Sequence, residues 1–357
     1  MGMDRPIQNQ LVDLFDEYAA NHHFSGAALM KESDRILLER AYGLAHRGFH
    51  VPNQMNTMFD TASVTKLFTA AAVLQLVDQS QLKLDDRITD IIDLGGTQIS
   101  ADVTIAQLLN HTSGIADDAD EEEGESYEAL FIDKPNYAIR NCRDFLPQFA
   151  YKAPKFKAGT QVSYNNCAYV LLGLAIEQVT GASYRDYVTD HIFRPAEMND
   201  TSFAAKDDGN APIAEGYAAV YEENNEVQWR KNIYSFPPIG TSDGGAFTTV
   251  GDLDRFMRAL AQGKLLSTAM TAEMMKPQCA LAKTFEWGKE ITGYGFHFIY
   301  THEGQLIRMM KEGSNAGVAA MLAYYPQFDA TSIILGNQTC NVWELHWKAE
   351  QLLFAAK

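Results

Sequence analysis

The 357-residue chain is 46% hydrophobic and 21% charged, the make-up of a globular protein large enough for one big domain or two. Its formal net charge of −17 excludes the basic footprint used to bind nucleic acid or anionic membranes, so small molecules are the expected partners. No run reaches the length of a membrane span, and the opening MGMDRPIQNQLVDLF lacks the basic-then-apolar pattern of a secretory signal. A cytoplasmic location is therefore expected of this chain, or a periplasmic or extracellular one if a signal has been removed. Cys142, Cys167, Cys279 and Cys340 are scattered, without CxxC or a Cys/His cluster, so free thiols are expected and no metal, disulfide framework or cofactor.

In chain order, residues 7–21 predict an amphipathic helix, followed by two strands, FSGAALMK and RILLERAYG, around the turn Glu32-Ser33-Asp34. FDTASVTKLFTAAAVLQLV (59–77) is an apolar core helix that Asp60 or Thr61 would cap. On it Ser63 and Lys66 are i, i+3 neighbours. A buried ammonium needs a partner or a lowered pKa; the alternative is that Lys66 snorkels to the surface. Helices follow at Asp102–Asn110 and Cys167–Thr180. Between them DDADEEEGESYE (117–128) reads as a solvated, mobile loop, because counted from Asp118 its glycine falls at position 7 rather than the 6 of a calcium loop. GFHFIY, QLIRMMKEG, VAAMLAYYP and TSIILGN are strands at hairpin spacing, and a helix from about Trp343 closes the chain. This order predicts an α+β fold in which an antiparallel sheet built from both termini (1–80 and 246–357) is flanked by helices. A mainly helical region (81–245) is inserted, and the site lies in the cleft between the two.

Serine needs a base to become nucleophilic, and Ser63 with Lys66 offers one. Ser80-Gln81-Leu82-Lys83 repeats the S-x-x-K pattern, but at the polar end of the helix, where it reads as surface. GTSDG (240–244) fits a nucleophile elbow, with Ser242 attacking and His297, His302 or His346 as base. An elbow requires a strand running into a helix; Pro237 and Pro238 precede the serine and Gly244-Gly245 follow it, so a glycine-rich turn is the better account. His111 reads as a structural histidine, and His22 and His23 as surface residues.

Two further motifs follow Ser63 in order: Tyr164-Asn165-Asn166, the only Y-x-N of the chain, and Lys311-Glu312-Gly313 on a predicted strand. Lys157-Ala158-Gly159 also matches K-x-G, so the third motif counts only with the others. Together with LLNHTSGI, GTQVSYNN and GGAFTTVGDLDRF, the chain resembles the class C β-lactamase and penicillin-binding-protein superfamily of serine hydrolases, which includes β-lactamase-like carboxylesterases and D,D-peptidases. The likeness spans roughly residues 10 to 350.

The resemblance implies the β-lactamase/transpeptidase-like fold and acyl-enzyme chemistry on a β-lactam, a D-Ala-D-Ala-type peptide or a small ester. It casts Ser63 as nucleophile, Lys66 as the group sharing its proton, and Tyr164 as base or relay. Asn166 would bond the substrate amide or Lys66, and the backbone amides of Ser63 and Ser314 would form the oxyanion hole. Lys311 suits a carboxylate-bearing substrate, Gly313 leaves room for it, and Glu312 should face the other way along the strand. A non-catalytic binding or assembly protein that keeps the fold is the alternative from another class. Oligomeric state is not readable.

Overall fold

A computed structural model describes residues 6–120, 123–221 and 227–354. The first and last predicted strands meet: β1 (Gly26–Glu32) pairs antiparallel with both β2 (Arg35–Tyr42) and β8 (Ala330–Gly336), with Ala27 opposite Leu335. The sheet continues through β7 (Val318–Tyr325), β6 (Leu306–Asn315), β5 (His297–Tyr300), β4 (Gly288–Gly293) and β3 (Pro277–Phe285). It has eight strands in the order β2-β1-β8-β7-β6-β5-β4-β3, all antiparallel. The sequence reading did not foresee β3 and β4.

Every residue of β7 and β8 is buried because the sheet is covered on both faces. Ala320, Leu322, Ile333 and Leu335 point into one core; Ala319, Met321, Ala323 and Ile334 point into the other. The second core is closed by α1 (Ile7–Asn21), through Leu11 and Phe15, and by the C-terminal helix (Val342–Phe354), through Val342, Leu345 and Ala349.

The first core holds α2 (Lys66–Asp78), α3 (Asn166–Thr180) and α4 (Val250–Ala261). α2 is apolar nearly all round, as a helix enclosed by other elements must be. α3 stops at Gly181, which takes the left-handed conformation (φ +71°) that favours glycine. Helix 102–110 shortens to Ile105–Leu109 behind a capping box of Thr104 and Gln107. No described helix is long and apolar enough to cross a membrane.

The acidic segment differs from its expected solvation. Asp117 and Asp118 are 8% and 2% exposed, and the Asp117 carboxylate accepts the backbone N–H groups of Asn166 and Cys167 at 2.9 and 3.0 Å. The first amides of a helix have no partner within it, and here a carboxylate supplies one. Residues 121 and 122 of that segment lie outside the described residues.

Candidate active site

Ser63 lies in a turn whose entry is pinned on both sides. The two-residue strand Phe59–Asp60 pairs with Phe247–Thr248, and the Ala62 N–H donates to Asp60 Oδ1 at 2.8 Å. Ala62, with φ +41°, swings the chain into a 3₁₀ turn (Ala62–Thr65) that runs on into α2. In a 3₁₀ turn residues i and i+3 eclipse, so Ser63 and Lys66 stack more closely than a regular α-helix would place them.

Lys66 does not snorkel; it is fully buried. Its ammonium donates to Ser63 Oγ at 2.9 Å, Asn166 Oδ1 at 2.7 Å and the Asp243 carbonyl at 2.6 Å. Three acceptors match the three protons of the group, which is what a buried ammonium requires. The Tyr164 hydroxyl lies 2.7 Å from Ser63 Oγ, and the Lys66 and Lys311 ammonium groups lie 5.0 and 4.6 Å from the centre of its ring.

Asn166 opens α3, where Asn165 caps the helix by accepting the Ala168 N–H at 2.6 Å. His111 Nδ1 accepts the Asn165 N–H at 3.2 Å, and its ring packs 4.6 Å from that of Tyr164. Burial, followed by the charge of Lys311, pushes the His111 pKa well below its ordinary value, so the ring stays a neutral acceptor.

Strand β6 brings the third motif against this turn. Gly313 faces Ser63 so closely that a Cβ there would lie 2.1 Å from the Thr61 carbonyl oxygen and 3.0 Å from the Ser63 nitrogen. Ser314 is exposed and borders the cleft with Ser63. Lys311 is 1% exposed; burial first, then the Lys66 charge, lowers its pKa to about 7, against the pull of Glu312 and Glu290. Glu312, the next residue along the strand, accepts a hydrogen bond from the Trp343 indole, and both side chains border the cavity that Lys311 lines.

Ser63 stands between two cavities. One of about 390 Å³ runs along Tyr164, Lys311 and His297; a tighter one of about 50 Å³ runs along Asn166, Tyr127 and Phe236. Lys206, which the sequence reading missed, borders the tighter one; burial lowers its pKa to about 8, and Asp60 lies 3.9 Å away.

Ser242 stands apart from this constellation. It is fully buried with its hydroxyl 3.3 Å from the Cys142 thiol, and it packs on Gly173, where any Cβ would strike it. Its candidate bases are dispersed: His297 faces Lys311, His302 is exposed, and His346 is buried in the second core beside Ser332 and Tyr325. The GTSDG turn acts instead through its backbone, with the Asp243 carbonyl on Lys66 and the Ser242 carbonyl on the Thr69 hydroxyl at 2.6 Å. Ser80 and Lys83 are both exposed. Ligand atoms of Asp117, Asp118 and Cys167 lie within 4.8 Å of one another, but the oxygens of Asp117 are taken up by backbone amides at the start of α3.

A two-face-covered antiparallel sheet closed by the first and last strands, with a serine within hydrogen-bond range of both a lysine and a tyrosine beside it, defines the class: a serine hydrolase. The family model described as Beta-lactamase matches residues 11–350, and the chain belongs to that family.

Among curated relatives it is 28% identical over 337 residues to Penicillin-binding protein 4 of Amycolatopsis lactamdurans, covering 90% of this chain and 83% of that one. It is 25% identical over 334 residues to the D-alanyl-D-alanine-carboxypeptidase/endopeptidase AmpH of Escherichia coli K12, covering 88% and 81%. The crystal structure of a penicillin-binding protein from Bacillus halodurans superposes with a TM-score of 0.88 at 33% identity, covering 96% of this chain and 99% of that one.

Proposed function

We propose that Ser63 attacks the carbonyl of a carboxylate-bearing amide, lactam or ester, and that water then hydrolyses the resulting acyl-enzyme. In the first half-reaction the Ser63 Oγ–C bond forms and its proton passes to the Tyr164–Lys66 pair. The bond to the leaving nitrogen or oxygen breaks, and that atom takes up the proton. In the second half-reaction water attacks the ester and Ser63 is restored.

The observation that carries this reading is that one hydroxyl lies 2.7 Å from a phenol oxygen and 2.9 Å from a buried ammonium. Asn166 holds Lys66 and faces the tighter cavity. The backbone amides of Ser63 and Ser314 serve as the oxyanion hole, and Gly313 leaves the space that brings those two segments together.

Lys311 receives the substrate carboxylate. Glu312 borders the same cavity, and its carboxylate is engaged by the Trp343 indole. The names of the relatives, penicillin-binding protein and D-alanyl-D-alanine-carboxypeptidase, favour a D-amino-acid-terminated peptide or a β-lactam as the substrate class. The cleft lies between the sheet unit (1–80 and 246–357) and the helical insertion (81–245).

Intact-mass analysis with benzylpenicillin and with a fluorophosphonate, followed by peptide mapping, tests the assignment. One adduct per chain on Ser63, absent from Ser63→Ala, is expected. An adduct on Ser242, or unchanged ester turnover in Ser63→Ala, overturns it.

A further inference from the structure

The paired register of β5 and β6 ends at His297 opposite Met310, so Lys311 is the first residue of β6 past the end of β5. Its amine lies 3.3 Å from His297 Nε2. On the other side of that ring, Nδ1 lies 3.0 Å from Glu290 Oε1; Glu290 is diagonal to His297 across the β4–β5 ladder, in which Thr292 is its direct partner. An ionised carboxylate only accepts, so Nδ1 carries a proton, and in the neutral ring Nε2 is left to accept from Lys311. Glu290, His297 and Lys311 thus form a hydrogen-bonded line that starts at the half-buried rim of the larger cavity and ends against the face of Tyr164.

We propose that Glu290 and His297 set the charge of Lys311, so that this trio takes up a proton when a carboxylate substrate binds, while acylation at Ser63 proceeds independently of it. The proposal rests on Lys311 as the receiver of the substrate carboxylate.

The charges around Lys311 explain why such a device is needed. Lys66 comes from α2, with Lys283 on β3 and Tyr164 from the loop before α3; Glu290, His297 and Glu312 come from β4, β5 and β6. His111 lies behind Tyr164 and is held neutral by burial. Burial disfavours a second ammonium here, and the nearby charge of Lys66 adds to this, which brings Lys311 to about 7. Glu312 and then Glu290 supply the opposing charge, and of the two Glu290 is the one linked to Lys311 through the His297 ring. Burial works against its ionisation, yet the His297 hydrogen bond and the charges of Lys283 and Lys311 hold its carboxyl below the usual range.

The sign follows: Lys311 is an ammonium below about 7 and an amine above, so carboxylate affinity is full at low pH and falls as pH rises through that value. For one coupled proton the limiting loss is about tenfold per pH unit.

The test compares 4-acetoxybenzoate, with a carboxylate on the leaving group, and its methyl ester, which has the same scissile bond. KM and kcat are measured from pH 6 to 9. The KM ratio of acid to methyl ester should rise at least about tenfold over this range. Glu290→Gln should move the midpoint down by about half a unit to one unit, with Glu290→Asp restoring it, and His297→Phe should move it the same way.

Calorimetric titration of the Ser63→Ala protein with benzoate, in two buffers of different ionisation enthalpy, counts protons directly and should show uptake above pH 7 that Lys311→Met abolishes. A ratio flat with pH, benzoate binding without proton uptake, or midpoints in Glu290→Gln and His297→Phe equal to wild type overturns the proposal. Failure of both esters to acylate Ser63 overturns the hydrolase reading instead, and the benzoate titration still decides the relay.

Discussion

Substituting Gly313 with alanine tests the proposed site through geometry alone, because no charge, hydrogen bond or proton-transfer group is removed. The backbone of Gly313 is ordinary for a strand and its direct partner is Ala320, so a methyl group is acceptable to the sheet itself. The obstacle lies across the gap, where the new Cβ would sit 2.1 Å from the Thr61 carbonyl oxygen and 3.0 Å from the Ser63 nitrogen. A carbon cannot approach a carbonyl oxygen much inside about 3 Å, so the Ser63 turn and β6 must part by roughly 1 Å.

Overpacking of this size costs about 1–3 kcal/mol of stability, which lowers Tm by a few degrees and leaves the variant folded at 25 °C. The same displacement shifts Ser63 relative to Ser314 and Tyr164, and a misplacement of about 1 Å costs on the order of 100-fold in rate, or about 2.7 kcal/mol of barrier. The assay is kcat/KM on a p-nitrophenyl ester alongside thermal unfolding. A drop of roughly 100-fold with a Tm lowered by only a few degrees is expected. Turnover within a factor of two of wild type would show that the amide of Ser63 and strand β6 do not act together.

Tyr164→Phe removes the oxygen 2.7 Å from Ser63 Oγ and should lower kcat about 10²- to 10⁴-fold in steady-state ester hydrolysis, with little change in Tm. Ser242→Ala should keep kcat/KM within about twofold and stability within about 1 kcal/mol, since among the described residues its hydroxyl bonds the Cys142 thiol and none of the Ser63, Lys66 and Tyr164 side chains; loss of the Ser63 adduct in this variant would revive the elbow reading. Asp117→Asn leaves one oxygen where two accept amides and should cost about 1–3 kcal/mol in urea unfolding.

His346 is held neutral, its pKa lowered to about 3 by burial and then by the Arg308 charge. The unfolded chain therefore binds a proton between about pH 6.5 and 3 that the fold refuses. Stability is lost as pH falls through that window, by up to about 1.4 kcal/mol per unit, and a His346→Gln variant with the same acid dependence would refute this.

The terminal strands and the outer helices were legible because their apolar periodicity is strong, and the continuous runs of β7 and β8 are what a sheet covered on both faces requires. Strands β3 and β4 carry charged and polar residues at the sheet's outer edge, so ALAKTF and GKEITG give little period-two signal. Glu290 and His297 owe their meeting to that edge, which is why their link to Lys311 could not be read in advance.

Charge runs mislead for another reason. Composition assigns DDADEEEGESYE to solvent, yet its first two carboxylates are buried, and the first is held inward by helix amides that no local pattern reveals. Lys66 posed the opposite problem: the sequence allowed burial or snorkelling, and only the oxygens of Asn166 and Asp243, remote in the chain, decide between them.

The pairing of β1 with β8 has a consequence during synthesis. Ser63 leaves the ribosome long before residues 330–336, without which β1 lacks one neighbour. Because Gly313 also arrives late, a nascent chain carries its nucleophile on an unsupported turn until residues 313–336 have emerged. Reactivity therefore arrives all at once, when β6 and β8 close the sheet against that turn.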